Sequence, residues 1–76
     1  MKKLSAERLA SAVVSARRQR KMTQTELAGL TGMNRSVLSR LESGDYIPSV
    51  DQLLALSEVL GIDAAECVEE DRKSVV

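Results

Sequence analysis

Aromatic residues are almost absent from this chain of 76 residues, which has no phenylalanine, no tryptophan and a single tyrosine, Tyr46. Sandwich and barrel cores draw on aromatic and β-branched side chains, so this scarcity disfavours an all-β fold. Histidine is missing as well, and the one cysteine, Cys67, has no second cysteine to pair with. The sequence therefore excludes a disulfide framework, a Cys/His zinc site and a nucleophile activated by histidine.

Long apolar runs are missing too. No segment approaches the roughly 20 apolar residues that a membrane-spanning helix needs. The N-terminus is basic but opens no apolar region long enough for a signal peptide. We therefore expect a cytoplasmic protein with no membrane contact, and a length of 76 residues allows one small domain.

The chain has few residues that could act in catalysis or bind a metal ion. An enzyme would have to rely on lysines and on carboxylates such as Glu58 and Asp63, so we predict that the protein is not an enzyme. Three adjacent carboxylates occupy positions 69–71, but a run of this kind near a terminus is typical of solvated surface. No metal ion and no cofactor is predicted.

Charge is divided unevenly along the chain although the net charge is zero. Residues 1–40 contain nine basic and two acidic residues, and residues 41–76 contain two basic and nine acidic ones, which gives the halves net charges of +7 and −7. The basic half is suited to a polyanion, and the acidic half would be repelled by one. The alternative is a solvated surface whose segregation has no role.

Helix-start signals recur at short intervals. Thr23 with Glu26, and Ser49 with Gln52, have the spacing of a capping box, and Asn34 is a good N-cap. A glycine, the residue that most readily adopts the left-handed conformation at a helix end, follows three of the apolar patterns: Gly32, Gly44 and Gly61. These signals predict five helices over about residues 5–20, 24–31, 35–43, 50–60 and 64–69.

The apolar spacing supports the first four helices, whose inward residues we expect to meet in one core. The predicted core residues are Leu9, Val13, Ala16, Leu27, Ala28, Leu30, Leu38, Leu41, Leu53, Leu56 and Leu60. Residues 70–76 carry no cap and no helical period. We therefore predict a folded domain over residues 4–68 and an acidic, flexible tail over residues 69–76.

Only Gly32, Met33 and Asn34 separate the second and third predicted helices. So short a connection forces the two helices to cross steeply. The small Ala28, four residues before Gly32, allows the third helix to approach the second closely. This is a helix-turn-helix pattern.

Three phrases of the sequence, in this order, carry a family resemblance: MTQTELA at 22–28, NRSVLSRLESG at 34–44 and PSVDQL at 48–53. Together they resemble the Cro-like phage-repressor family, also called the xenobiotic-response-element (Xre) family. The resemblance covers about residues 9–68. It implies an all-α, five-helix, lambda-repressor-like DNA-binding domain whose helix-turn-helix is formed by the second and third helices.

The third predicted helix has an outward face that suits a DNA groove. With Leu38 and Leu41 turned inward at about 100° per residue, the helix points small hydroxyls and arginine outward. Serines allow close approach of the backbone, and arginine can bind guanine O6 and N7 with two hydrogen bonds. An ordinary solvated helix face is the alternative. The residues expected to read bases are Arg35, Ser36, Val37, Ser39 and Arg40, with Val37 placed to touch a thymine methyl group.

The resemblance also implies roles for residues around this face. Those expected to contact DNA phosphate are Thr23, Gln24, Asn34, Ser43 and Tyr46. For Gln24 the physics agrees, because free amides and the positive end of the dipole at a helix N-terminus attract an anion. Arg17 matches an arginine that pairs in relatives with the acid at Glu42, and this pair is structural.

Two departures from the family pattern affect these expectations. Asp45 follows Gly44, where the family often has a basic residue that contacts phosphate. The hydroxyl of Tyr46 could donate to phosphate instead, although Tyr46 could equally pack over the fourth helix. Thr31 stands where a larger aliphatic residue is common, so that the end of the second helix is less tightly packed.

The function expected from this sequence is sequence-specific transcriptional regulation. One recognition helix reads too few base pairs to select among about 10⁶–10⁹ competing sites. We therefore expect a homodimer on a palindromic operator in double-stranded DNA, assembled through the fourth and fifth helices and the C-terminal segment. Candidate contacts are Leu54, Val59 and Val68, together with Val75 and Val76 in the last two positions. The alternative is an antitoxin or adaptor that binds a partner protein through the same fold, with or without autoregulatory DNA binding.

Overall fold

Four helices and a two-stranded ribbon form within residues 2–63 and 68–70, the part of the chain that the computed structural model describes. In chain order the elements are β1 (Lys2–Leu4), α1 (Ala6–Gln19), α2 (Gln24–Thr31), α3 (Arg35–Glu42), α4 (Val50–Leu60) and β2 (Val68–Glu70). None of these four helices is long and apolar enough to cross a membrane. The bounds of α2 and α4 are those predicted from their caps.

Each of the four helices begins directly after a residue whose side chain caps it. Thr23 Oγ1 accepts from the backbone of Glu26 at 3.1 Å, and the Glu26 carboxylate accepts from the Thr23 amide at 3.0 Å. Ser49 and Gln52 form the same reciprocal pair at the start of α4. Such a box satisfies two amides that have no partner within the helix. The two capping boxes predicted from the sequence are confirmed.

The core lies where α1 packs against α3 and α4, and α2 packs against the same two helices. Its buried members are Leu9, Val13, Ala16, Leu27, Ala28, Met33, Leu38, Leu41, Leu56 and Leu60. All but Met33 were predicted. Met33 is buried because it lies in the short turn between α2 and α3, where its amide donates to the Ala28 carbonyl at 3.0 Å. Leu53 is partly buried at the edge of this core.

Leu30 is the clear error in the predicted core, because its side chain is 59% exposed. Leu27 and Ala28 set the inward direction of α2, and Thr31, four residues after Leu27, takes the next inward position. The Thr31 hydroxyl donates to the Leu27 carbonyl at 2.8 Å, which keeps it turned toward the helix. Leu30 is rotated about 100° from this direction and faces solvent.

The fifth predicted helix is not found. Its first four positions, 64–67, lie outside the described residues, and Val68 and Glu69 belong to strand β2. β2 pairs with β1 in antiparallel register, with Lys2 opposite Glu70, Lys3 opposite Glu69 and Leu4 opposite Val68. The helix prediction used local spacing alone, whereas a strand depends on a partner about 65 residues away along the chain. The ribbon also includes the first two residues of the predicted tail.

Candidate nucleic-acid interface

The turn between α2 and α3 fixes the angle at which α3 is presented. Gly32 has φ of 70°, a left-handed conformation that glycine adopts without a steric penalty because it has no Cβ. Asn34 Oδ1 then accepts from the Ser36 amide at 2.8 Å, and α3 begins at Arg35. The three-residue turn predicted from the sequence therefore ends one helix and caps the next.

The two faces of α3 separate as the sequence predicted. Leu38 and Leu41 are fully buried, whereas the outward face exposes four predicted base-reading residues, Arg35, Ser36, Ser39 and Arg40. Val37 is half-buried and packs against the core, so that only part of its side chain is open to a ligand. Neither arginine of α3 forms an ion pair with any other described residue. Their guanidinium groups are available to a partner.

Glu42, the last residue of α3, joins three helices. Its carboxylate accepts from Arg17 Nε at 2.7 Å and from a terminal nitrogen of Arg17 at 3.0 Å, which makes the ion pair bidentate. The other terminal nitrogen of Arg17 donates to the Met22 carbonyl at 2.8 Å. These contacts confirm the predicted pair of Arg17 and Glu42 and connect α1 to α3.

Solvent has little access to this pair. The Arg17 side chain is 13% exposed and that of Glu42 is 6% exposed. The pKa of Arg17 is raised above its usual value, mainly because its guanidinium donates hydrogen bonds to the Glu42 carboxylate, although burial acts in the opposite direction. The Glu42 carboxylate therefore favours the charged form of Arg17, and the pair holds the end of α3 against α1.

Gln24 has a role that sequence reasoning missed. Its side-chain nitrogen donates to the Glu42 carboxylate at 3.0 Å, which adds α2 to the connection between α1 and α3. One hydrogen on that nitrogen remains for another acceptor, such as a phosphate oxygen. No local signal pairs Gln24 with Glu42, because the two residues are 18 positions apart and meet only through the steep crossing of α2 and α3.

The other predicted phosphate-contacting residues also have partners within the chain. The oxygens of Thr23 and Asn34 serve as helix caps, but the Thr23 hydroxyl hydrogen and the Asn34 amide nitrogen remain as donors. Ser43 and Tyr46 differ, because each uses its single hydroxyl hydrogen. Ser43 donates to the Ser39 carbonyl at 3.0 Å, and Tyr46 donates to Gln52 at 2.8 Å. A phosphate would have to displace these two bonds.

The Tyr46 geometry supports the packing interpretation. Its ring lies against the core, and its hydroxyl bonds to Gln52, the same residue that completes the capping box of α4. Asp45 is exposed, and its amide donates to the Arg40 carbonyl at 2.9 Å. The loop after α3 thus presents a carboxylate where the resemblance implied a cation.

Comparison with known proteins agrees with this geometry. A family described as helix-turn-helix matches residues 13–67. The chain is 32% identical over 60 residues to the ImmF control region 10 kDa protein of Bacillus phage phi105. This alignment covers 79% of this chain and 67% of the relative. It is 36% identical over 59 residues to the immunity repressor protein of the same phage, in an alignment that covers 78% of this chain and 41% of that repressor. The chain thus spans less than half of this repressor.

Solved structures of two restriction-modification controller proteins have a similar fold. C.AhdI from Aeromonas hydrophila superimposes with a TM-score of 0.72 at 26% identity, over 82% of this chain and 94% of the controller. A point mutant of C.Esp1396I superimposes with a TM-score of 0.71 at 19% identity, over 83% of this chain and 80% of that one. The second comparison shows likeness of fold alone.

Proposed function

The chain belongs to the helix-turn-helix family, and we propose that it regulates transcription by placing α3 in the major groove of an operator. Membership confirms the Xre-like resemblance drawn from the sequence and identifies the chain as a DNA-binding regulator. One observation above all supports the proposed mode of reading. The outward face of α3 carries two arginines that form no ion pair with any other described residue, beside two serines, over a buried leucine face.

Base reading follows from the chemistry of that face. An arginine fork can donate two hydrogen bonds to guanine O6 and N7, which distinguishes a G·C pair from the others in the major groove. Ser36 and Ser39 are short enough to let the α3 backbone approach the base edges. We assign base reading to Arg35, Ser36, Ser39 and Arg40, with a smaller contact from the half-buried Val37.

Phosphate binding is assigned to the residues whose donors remain available. These are the Thr23 hydroxyl, the Gln24 amide and the Asn34 amide, all close to the N-terminus of α2 or of α3. Helix N-termini favour anions because of their free amides and the direction of the helix dipole. Contacts to phosphate set the register of the protein on the duplex and carry no sequence information. Ser43 and Tyr46 play a lesser part in this proposal.

The protein acts on double-stranded DNA as a homodimer in this proposal. Two copies of α3 placed about 34–36 Å apart would read the two halves of a palindrome. The relatives include an immunity repressor and a restriction-modification controller, and we infer a similar regulatory role in the cytoplasm for this chain. No catalytic role is assigned to it.

The dimer contact is placed in the C-terminal segment, because the basic half must remain free for DNA. Of the apolar candidates from the sequence, Val68 lies in this segment, in β2, and Val75 and Val76 lie outside the described residues. Val59 packs against the core, and Leu54 on α4 is not assigned to the dimer contact in this proposal. Sedimentation at micromolar concentration should show two chains. Truncation after Glu66, which removes β2 and the residues beyond it, should shift the mass toward one chain. A truncated protein that remains a dimer with unchanged affinity would place the contact elsewhere.

The proposed mode of reading is tested by selecting bound duplexes from a random pool and sequencing them. The expected result is a two-fold symmetric sequence with guanine in each half. Affinity for the selected duplex and for a scrambled one should fall with salt, since neutralised phosphates release counterions.

Asp45→Lys sharpens this test. A cation in the loop after α3 should strengthen binding to both duplexes and steepen the salt dependence by about one phosphate contact. Glu58→Lys makes the same charge change on α4 and serves as the control, for which a much smaller effect is expected. An equal gain from both variants would mean that net charge alone controls binding. A pool without any enriched sequence would contradict base reading.

The alternative of a protein-binding role has one observation in its favour. The segment 41–63 contains no lysine and no arginine, so that the C-terminal half of the domain presents acidic surface that DNA would repel.

A further inference from the structure

One side of α4 combines exposed apolar side chains with exposed acids. Ile47, Val50 and Leu54 are 53%, 72% and 58% exposed, which is high for large aliphatic residues. Val50 and Leu54 are one helical turn apart and share a face. Leu54 has Asp51 three residues before it and Glu58 four residues after it, both exposed. These five residues are called the acidic–apolar face.

The acidic–apolar face is turned away from the interior of the domain. α4 packs on α1 and α2 through Leu56 and Leu60, which are buried and lie on the other side of the helix. Outside the acidic–apolar face, the loop leading to α4 adds the exposed carboxylate of Asp45. No basic side chain in residues 41–63 offsets these acids. These carboxylates would repel DNA. The exposed side chains of Val50 and Leu54 are unfavourably solvated by water, and burial against a partner would lower the free energy.

We propose that the acidic–apolar face docks a basic amphipathic helix of a second protein. A helix of this kind lays aliphatic anchors, spaced three or four residues apart, against an apolar strip such as Ile47, Val50 and Leu54. Lysine or arginine beside those anchors would meet Asp51 and Glu58, and such complementary charges set orientation and raise the association rate. α3 stays exposed, so that the partner and DNA can be bound together.

A second copy of this chain fits the face poorly. A two-fold contact places the same patch on both sides, and here it would bring Asp51 and Glu58 against their own counterparts. The acidic–apolar face contains only three large exposed apolar side chains, whereas a stable interface buries about 800 Å² on each partner. The basic surface of another copy includes the arginines proposed to read DNA, and docking them here would block that function.

The experiment uses a synthetic peptide of 18 residues, built from leucine and lysine so that leucines occupy one face of a helix. The peptide is titrated into the full chain labelled with ¹⁵N, and affinity is measured by fluorescence anisotropy. Backbone amide shifts are expected to cluster between residues 45 and 58. The same peptide with glutamate in place of lysine should not bind.

Two leucines of equal exposure provide a matched pair of variants, because Leu30 on α2 is 59% exposed and Leu54 is 58% exposed. Leu54→Lys should weaken peptide binding by about tenfold or more, as expected for a central apolar anchor. Leu30→Lys should leave it unchanged within about twofold. The double variant Asp51→Asn with Glu58→Gln should weaken it by about fivefold at low salt and less at high salt.

Three results would overturn the proposal. Shifts centred on α3, or equal losses from Leu54→Lys and Leu30→Lys, would show that the face does not bind the peptide. Sedimentation showing that Leu54→Lys converts a dimer into single chains would assign the face to a second copy. The DNA affinity of Leu54→Lys is measured in parallel and should be unchanged, so that a failure of the docking proposal is distinguished from a failure of DNA recognition.

Discussion

Replacing Glu42 with alanine is expected to lower the free energy of unfolding by about 3 kcal/mol, because it leaves the shielded Arg17 guanidinium without its counter-ion. A domain of this length has about 4–11 kcal/mol to lose, so the variant should be only marginally folded. Gln24 loses its side-chain acceptor at the same time. Urea unfolding followed by circular dichroism is the suitable measurement, since the chain has no tryptophan.

Three variants provide controls for this prediction. Glu42→Gln keeps an oxygen acceptor but loses the charge and should fall between the wild type and Glu42→Ala. Glu58→Ala removes an exposed carboxylate and should change stability by no more than about 0.5 kcal/mol. A double-mutant cycle with Arg17→Met measures the coupling of the pair. Coupling below about 1 kcal/mol would mean that the pair behaves as a surface salt bridge, contrary to its burial.

Removing both arginines of the reading face should abolish operator preference. Each arginine that binds a guanine is worth about 1–3 kcal/mol of discrimination, so Arg35→Ala with Arg40→Ala should cost roughly 2–6 kcal/mol on the selected duplex. The scrambled duplex should lose less, since it makes only charge contacts. Titration of both duplexes at two salt concentrations measures the difference.

The double lysine variant separates charge from base reading. Arg35→Lys with Arg40→Lys keeps both positive charges but loses the planar fork that binds two acceptors on guanine. Affinity for the scrambled duplex and its salt dependence should be retained, while preference for the operator falls. A lysine variant that keeps the full preference would show that α3 supplies charge and does not read guanine through a two-bond contact.

The helix starts could be predicted because each depends on neighbours in the chain. The boxes at Thr23 and Ser49, and the cap at Asn34, involve partners two or three residues away, and local spacing was enough to place them. The inward and outward faces of α3 follow from helical period in the same way. The pair of Arg17 and Glu42 is different: it was implied by family resemblance, since no local pattern links residues 25 positions apart.

Which polar side chains of the candidate site already hydrogen-bond to other groups of the chain could not be predicted in this way. Gln24, Ser43 and Tyr46 were expected to contact phosphate, yet each donates to another group of the chain. The Ser43 bond is local, because its acceptor lies four residues earlier, whereas the bonds of Gln24 and Tyr46 are not. Whether a polar side chain is available depends on which acceptors the fold brings within about 3 Å. The Glu42 carboxylate and the Gln52 amide oxygen are such acceptors, and their positions are set by helix packing.

The sequence by itself determined four helices, the caps of α2, α3 and α4, the short turn before α3 and the sorting of α3 into a buried leucine face and an exposed arginine and serine face. Those features depend on contacts within a few residues. Tertiary structure alone decided that Leu30 faces solvent, that Gln24 joins Glu42 and that Val68–Glu70 pairs with Lys2–Leu4. Each of these depends on an element distant in the chain, because burial and pairing are properties of the surface against which a residue is packed.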